Sequence, residues 1–257
     1  MILSKIIQEK KKHVELAKIH LRLAEICESL EKIYRRSFFK KSISRAFRVN
    51  LIAEMKRSSP SRGIIRGNFN PVQIALTFQS QGVSAISVVT DERFFDGKLE
   101  YIREIKERVS IPVLRNDFII DEYQIYESAY WGADAVVLIA DILTESELVS
   151  FRKTAKHVGM DIVCEVHTDE DIVKAVNAGM DIICINNRDL HDFRVDLGKS
   201  ERLVKQIPEN IVKVSASGIN TYEDMMFLKS LGFNATLTGE VFMDAEDIGA
   251  KVRELLR

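Results

Sequence analysis

Glu54 and Lys56 put a carboxylate and an ammonium two residues apart at the end of a short apolar run, NLIAEM. In an extended chain that spacing places both side chains on one face. Facing a pocket, such a pair can take up and deliver protons. Later apolar runs also end in polar groups: Thr90-Asp91 with Phe95 just beyond, Asn116-Asp117-Phe118, Glu165-Val-His167, Asn186-Asn187-Arg188-Asp189, Ser215-Ala216-Ser217-Gly218 and Thr238-Gly239-Glu240. One such end by itself reads equally well as a solvated terminus. Several on one rim read as a site, with Glu165 and Asn186 converging on Glu54 and Lys56 from other strands. Ser217-Gly218 and Gly239-Glu240 suit an anion, because glycine lets backbone N–H groups approach a phosphate closely.

The elements that must position these groups repeat along the chain. Five times a helix-like segment ends at glycine and a β-rich run follows: Gly82-VSAISVV, Gly132-ADAVVLI, Gly159-MDIVCEV, Gly179-MDIICIN and Gly232-FNATLT. Helix starts are marked by Asn70-Pro71, by the capping box Thr144-Glu-Ser-Glu147, and by Thr168 and Thr221. The intervening runs lack strict alternation, as strands covered on both faces do. They predict eight strands, near 50–55, 85–90, 112–115, 135–139, 161–166, 182–186, 211–215 and 235–239. Eight βα units in 257 residues point to a single (β/α)8 TIM barrel. An open doubly wound sheet is the alternative. Residues 1–48 carry the apolar stripes ILSKIIQ and LRLAEICESLEKI and no core of their own. They read as an N-terminal helical extension of one domain spanning 1–257. In such a barrel the chemistry sits at the C-terminal strand ends, and the loops after strands 7 and 8 commonly hold phosphate.

Composition narrows the partners. Hydrophobic residues make up 46 % and charged residues 29 %, with 37 Lys+Arg against 38 Asp+Glu. A near-neutral balance argues against broad nonspecific nucleic-acid binding, which needs a basic face, and leaves room for a small local anion site. No apolar run reaches the ~18 residues of a membrane span, and the charged N-terminus lacks the features of a signal peptide. Cys27, Cys164 and Cys184 are too few and scattered for a disulfide framework and fit a reducing compartment, the cytoplasm. The run Lys10-Lys11-Lys12 reads as a solvated helix face. His13, His20 and His157 read as surface groups, Trp131 as packing, and His167, two residues after Glu165, as a solvated loop histidine, with entry into the site as the alternative.

The segments IAEMKRSSPSRG, IPVLRNDFIIDEYQIYES, CEVHTDED, INNRDLHDF, VSASGIN and LTGEVFM resemble the indole-3-glycerol-phosphate synthase family over the whole chain, extension included. SPSRG together with INNRDL carries most of that resemblance. It implies a barrel of tryptophan biosynthesis, a lyase that closes, decarboxylates and dehydrates 1-(2-carboxyphenylamino)-1-deoxyribulose 5-phosphate without metal or organic cofactor. It further implies a small phosphorylated substrate, and a chain that is monomeric or weakly associated with other enzymes of the pathway. By motif, Glu54 and Lys56 fall in the catalytic wall, Glu165 matches the general base, and Asn186 and Arg188 hold substrate, with Arg188 against its carboxylate. Ser59 lies by the phosphate, while Phe95, Phe118, Leu138 and Phe193 line an aromatic pocket. Ser217, Gly218, Gly239 and Glu240 fall in the phosphate region.

Three positions depart from the family pattern. Asn116 stands where the family carries its general-acid lysine, Ala216 where it carries a pocket glutamate, and Cys184 where it carries glycine. By parity with Asn186, Cys184 is interior filler. One lost positive and one lost negative charge offset each other, but an amide cannot replace an ammonium as proton donor. The expectation is therefore an impaired synthase in which Lys56 is the surviving acid. The alternative is a silent or repurposed phosphate-binding barrel of the same descent.

Overall fold

The computed structural model describes residues 2–31, 37–46, 49–189 and 194–257. Eight parallel strands close into a barrel: β1 (Asn50–Met55), β2 (Ala85–Val89), β3 (Val113–Asn116), β4 (Ala135–Ile139), β5 (Asp161–Val166), β6 (Ile182–Asn186), β7 (Val212–Ala216) and β8 (Ala235–Thr238). Each pairs with its sequence neighbour, and β1 pairs with β8 through Asn50↔Ala235 to Ala53↔Thr238. That closure excludes the open sheet. The expected strand positions hold to within about a residue, the spread at which boundary assignments themselves differ.

The punctuation acts as the sequence suggests. Asn70 accepts from the Gln73 N–H, and Thr144, Thr168 and Thr221 each close a capping box. The five helix-ending glycines all have positive φ, between 71° and 99°. There an L side chain would be strained, which is why the chain can turn sharply from helix to strand.

Strand parity divides the apolar groups into two shells. Ile52, Leu114, Val137, Val163, Cys184 and Val214 fill the barrel. Leu51, Met55, Ile86, Val136, Leu138 and Ile183 face outward against helix residues such as Phe78, Ile102, Ile125 and Leu148. Cys184 is thus interior filler, as parity requires.

The N-terminal residues form α1 (Ile2–His20), α2 (Leu23–Glu31) and the short α3 (Phe39–Ser42). Phe39 and Ile43 are fully buried and join the barrel interior. They plug the end opposite the polar rim, where Ser37 and the Lys40 N–H bond Asp161 at the start of β5. Val14 of α1 and Ile26 of α2 pack on Tyr123, whose hydroxyl donates to Ala17 O at 3.0 Å and Leu21 O at 2.8 Å.

One expectation fails in this region. Lys10 is only 4 % exposed, and its ammonium lies 2.7 Å from both Asp91 and Asp117. A three-residue run fixes charge, not burial, and α1 turns this one lysine inward while Lys11 and Lys12 stay in solvent. Immediately after β1 the chain also forms an antiparallel ladder absent from the sequence reading, Ser58↔Ile64 and Ser59↔Gly63. It stands over the C-terminal end of the barrel. Among the described residues no helix is long and apolar enough to cross a membrane.

Candidate active site

A cavity of about 600 Å³ opens at the C-terminal ends of the strands. Glu54 and Lys56 line it from β1 and its extension, Asn116 and Phe118 from β3, Glu165 from β5, and Asn186 and Arg188 from β6. Ser59 enters from the ladder after β1 and Phe95 from the loop after β2. Ser217, Gly218, Gly239 and Glu240 complete the wall after β7 and β8. Period-two parity produces this convergence, since each strand points its last inward residue at the mouth.

The charged groups form one connected set. Lys56 Nζ lies 3.1 Å from Glu54 and 3.3 Å from Glu240. Glu240 also accepts from Arg188 at 2.9 Å, and Asn116 Nδ2 donates to the second oxygen of Glu54 at 2.8 Å. Burial alone would lower the Lys56 ammonium, but Glu54 and Glu240 outweigh it and hold it above the ordinary lysine range. It is therefore protonated at neutral pH. Burial would raise the Glu240 carboxyl, and Lys56 and Arg188 bring it below the usual range.

Glu165 forms a second cluster. Its Oε1 accepts from Asn186 Nδ2 and His167 Nε2, both at 3.1 Å. The His167 side chain is 10 % exposed, so it is not the solvated histidine its sequence position suggested. Its spacing of two from Glu165 was the available signal, and it places both residues on the inner face. Burial favours a neutral Glu165, but the bond and charge of His167 outweigh it and lower the carboxyl.

The ends of β7 and β8 bring backbone to the cavity. Ser217 and Gly218 both adopt left-handed conformations, φ 69° and 81°. A side chain on Gly218 would strike Val195, its Cβ falling 2.4 Å from Cγ1. A Cβ on Gly239 would fall 2.8 Å from that of Glu54. Glycine at 239 is what lets Glu54 occupy its place.

The chain matches the family model described as indole-3-glycerol phosphate synthase over residues 3–255. It is 46 % identical to the indole-3-glycerol phosphate synthase of Caldanaerobacter subterraneus subsp. tengcongensis, over 100 % of this chain and 98 % of that protein. The enzyme of the same name from Alkaliphilus metalliredigens is 44 % identical over 99 % of this chain and 98 % of its own length. The chain belongs to the indole-3-glycerol phosphate synthase family. Among solved structures it is similar to 3-hexulose-6-phosphate synthase from Salmonella typhimurium, with TM-score 0.64 and 17 % identity over 80 % of this chain and 96 % of that one. At that identity the likeness speaks for the fold alone. The reading as a silent or repurposed barrel draws no support from these relatives.

Within this family frame the structure corrects one expected position. Leu138 is fully buried in the outer shell against the helices, and the next residue, Ile139, lines the cavity instead. The interior positions of β4 are Ala135, Val137 and Ile139, so the motif match was one residue out of phase with the pleat. Phe193 lies outside the described residues. Phe95 and Phe118 form an aromatic wall, ring centroids 6.2 Å apart. Asp91, Asp117 and Asn220 also line the cavity without having been singled out as site residues. At the departures from the family pattern, Asn116 bonds Glu54, while Ala216 adds an apolar patch beside Asn186.

Proposed function

We propose that this cavity is the active site of an indole-3-glycerol-phosphate synthase, a carbon–carbon lyase of tryptophan biosynthesis. It would take a phosphorylated carboxyphenylamino-deoxyribulose and release indole-3-glycerol phosphate, CO2 and water. One observation carries the assignment of residues. Glu54, Lys56, Glu165, Asn186 and Arg188, from three separate strands, share one cavity with Gly218 and Gly239 at its rim.

In this reading the phosphate sits among Ser59, Ser217, Gly218, Gly239 and the backbone of Glu240. The aryl ring lies by Phe95 and Phe118, with its carboxylate toward Arg188. Lys56 delivers a proton to the ketose carbonyl as the aryl carbon attacks. CO2 then leaves. Lys56, reprotonated from solvent, protonates the hydroxyl, which departs as water, and Glu165 takes the proton released from the ring carbon as the five-membered ring becomes aromatic. Asn116 can orient the carbonyl by hydrogen bonding but cannot protonate it. The Glu240 carboxylate faces Lys56 and Arg188, so its side chain balances cations rather than gripping phosphate.

The chain acts as one unit, with its N-terminal helices serving as an extension of the barrel. It works in the cytoplasm as a monomer or in weak association with pathway enzymes, without nucleic acid, membrane, metal or organic cofactor.

The test is product formation followed by indole fluorescence, for this chain beside its Asn116→Lys variant. A positioned acid contributes about 10²–10⁴ in rate, so a rise of at least tenfold is expected. An unchanged rate would remove residue 116 from the list of catalytic positions.

A further inference from the structure

The mechanism above gives Glu165 a task but leaves unexplained the histidine buried against it. His167 sits two residues beyond Glu165, on the extension of β5, with Nε2 3.1 Å from Glu165 Oε1. A carboxylate only accepts, so Nε2 must carry the hydrogen. Asn186 donates to the same oxygen. Oε1 is therefore saturated by two protein donors, and Oε2 carries no bond from a described residue. Glu165 lines the cavity, which leaves Oε2 as its reactive atom. The other ring nitrogen, Nδ1, is buried and finds no partner among the described residues. The backbone is fixed as well, because the His167 and Thr168 N–H groups both donate to Asp171 Oδ2, at the start of helix Asp169–Asn177.

We propose that His167 is the positioning residue for Glu165: with Asn186 it clamps Oε1 and presents Oε2 to the substrate as the proton-accepting atom. The inference rests on Glu165 being the base.

The clamp also sets charge. The groups facing it are Glu165 on its own strand, Asp171 on the following helix and Lys199 on helix Gly198–Leu203. Around Glu165 stand the buried thiols Cys164 and Cys184, both pushed upward by burial and so neutral, with Glu54 beyond Cys184. Burial would lower the imidazole, but Glu165, helped by Asp171, outweighs it and Lys199, so His167 is raised above its ordinary 6.5. An imidazolium beside Glu165 keeps that carboxyl ionised to lower pH. The acid limb of kcat/KM, where the base is lost by protonation, then lies lower than it would without the charge. No comparable shift follows if His167 merely fills space.

Two substitutions and one spectrum decide the matter. His167→Gln keeps a neutral donor near the place of Nε2, and His167→Leu removes both donor and charge. With His167→Gln, kcat at pH 8 should stay within about threefold, and the acid limb should move up by about one pH unit, the low end of what an adjacent opposite charge does. With His167→Leu, kcat should fall at least tenfold with KM little changed. If both variants retain the original limb and kcat, the proposal is wrong. Should the leucine variant fail to fold, the glutamine variant and the spectrum still decide.

Glu165→Gln separates this inference from the reading beneath it. Loss of turnover there supports Glu165 as the base, and retained turnover sinks that reading together with the catalytic part of this one. Independently of turnover, NMR titration of His167 should give a pKa that drops on Glu165→Gln. An unmoved His167 would refute the pairing itself.

Discussion

Two charged networks meet at the same end of this barrel and do different work. The first joins Lys10 to Asp91 and Asp117, then Asp117 to Arg115 and Arg115 to Glu127. Its side chains are at most 6 % exposed, and Arg115 also donates to Thr90, the Gln124 carbonyl and Ser128. The second joins Glu54, Lys56, Glu240 and Arg188, and its members are 7–26 % exposed around an open cavity. The same residue types occur in both. In the first, protein groups hold every charge, although Asp91 and Asp117 also touch the cavity wall. In the second, ammonium and guanidinium still face space that a substrate can enter. Burial and completeness, rather than residue type, separate the fastening of α1 to the barrel from the chemistry.

Substitutions should divide along that line. The largest effect is expected for Lys56→Met, a loss of about 10²–10⁴ in kcat with the unfolding midpoint nearly unchanged. Unchanged turnover would show that the second network does not supply the acid. Lys10→Met should do the reverse. Breaking a buried pair by removing one partner costs about 3–5 kcal/mol, readable as a lower denaturant midpoint, whereas a loss under 1 kcal/mol would place Lys10 with ordinary surface lysines.

Titration sharpens the same contrast. Burial would raise the Asp117 carboxyl, but Lys10 and Arg115 hold it well below its ordinary 3.8. Its stabilisation is complete above the unfolded value and is lost as pH falls through the lower folded one. Lys10, raised above 10.5, contributes fully below that value and loses its contribution as pH rises through its higher folded one. The contribution of this network to stability should therefore plateau between about pH 4 and 10. The Lys10→Met deficit should shrink below pH 4, and a deficit constant from pH 7 to pH 3 would trace it to packing instead. The smallest effect is expected for Glu240→Gln. Freeing Arg188 and Lys56 from a competing carboxylate should lower KM a few-fold, and a raised KM would mean that Glu240 holds these two substrate-binding cations in place.

The barrel was legible because its signals are local: caps, helix-ending glycines and β-rich runs each depend on a few neighbouring residues. Parity carried Glu54, Lys56, Glu165 and Asn186 to one mouth for the same reason. The error at Leu138 arose where a match by motif took the place of counting from Val137. Lys10 and His167 were misread as solvated because burial is set by what arrives from elsewhere: β2 and β3 over one, the β5 and β6 ends around the other. The left-handed Ser217 had no glycine to announce it; the loop imposes that conformation on an ordinary residue.

Glu54 rests against Gly239, so the first strand of the barrel is finished by the last. A ribosome delivers those two residues far apart in time. Until β8 has emerged, the Glu54 carboxylate has no wall behind it and the sheet keeps two open edges. Emergence of β8 is thus a precondition for a closed cup, and a chain stopped before residue 235 would hold most of the helices and seven strands around an open wall.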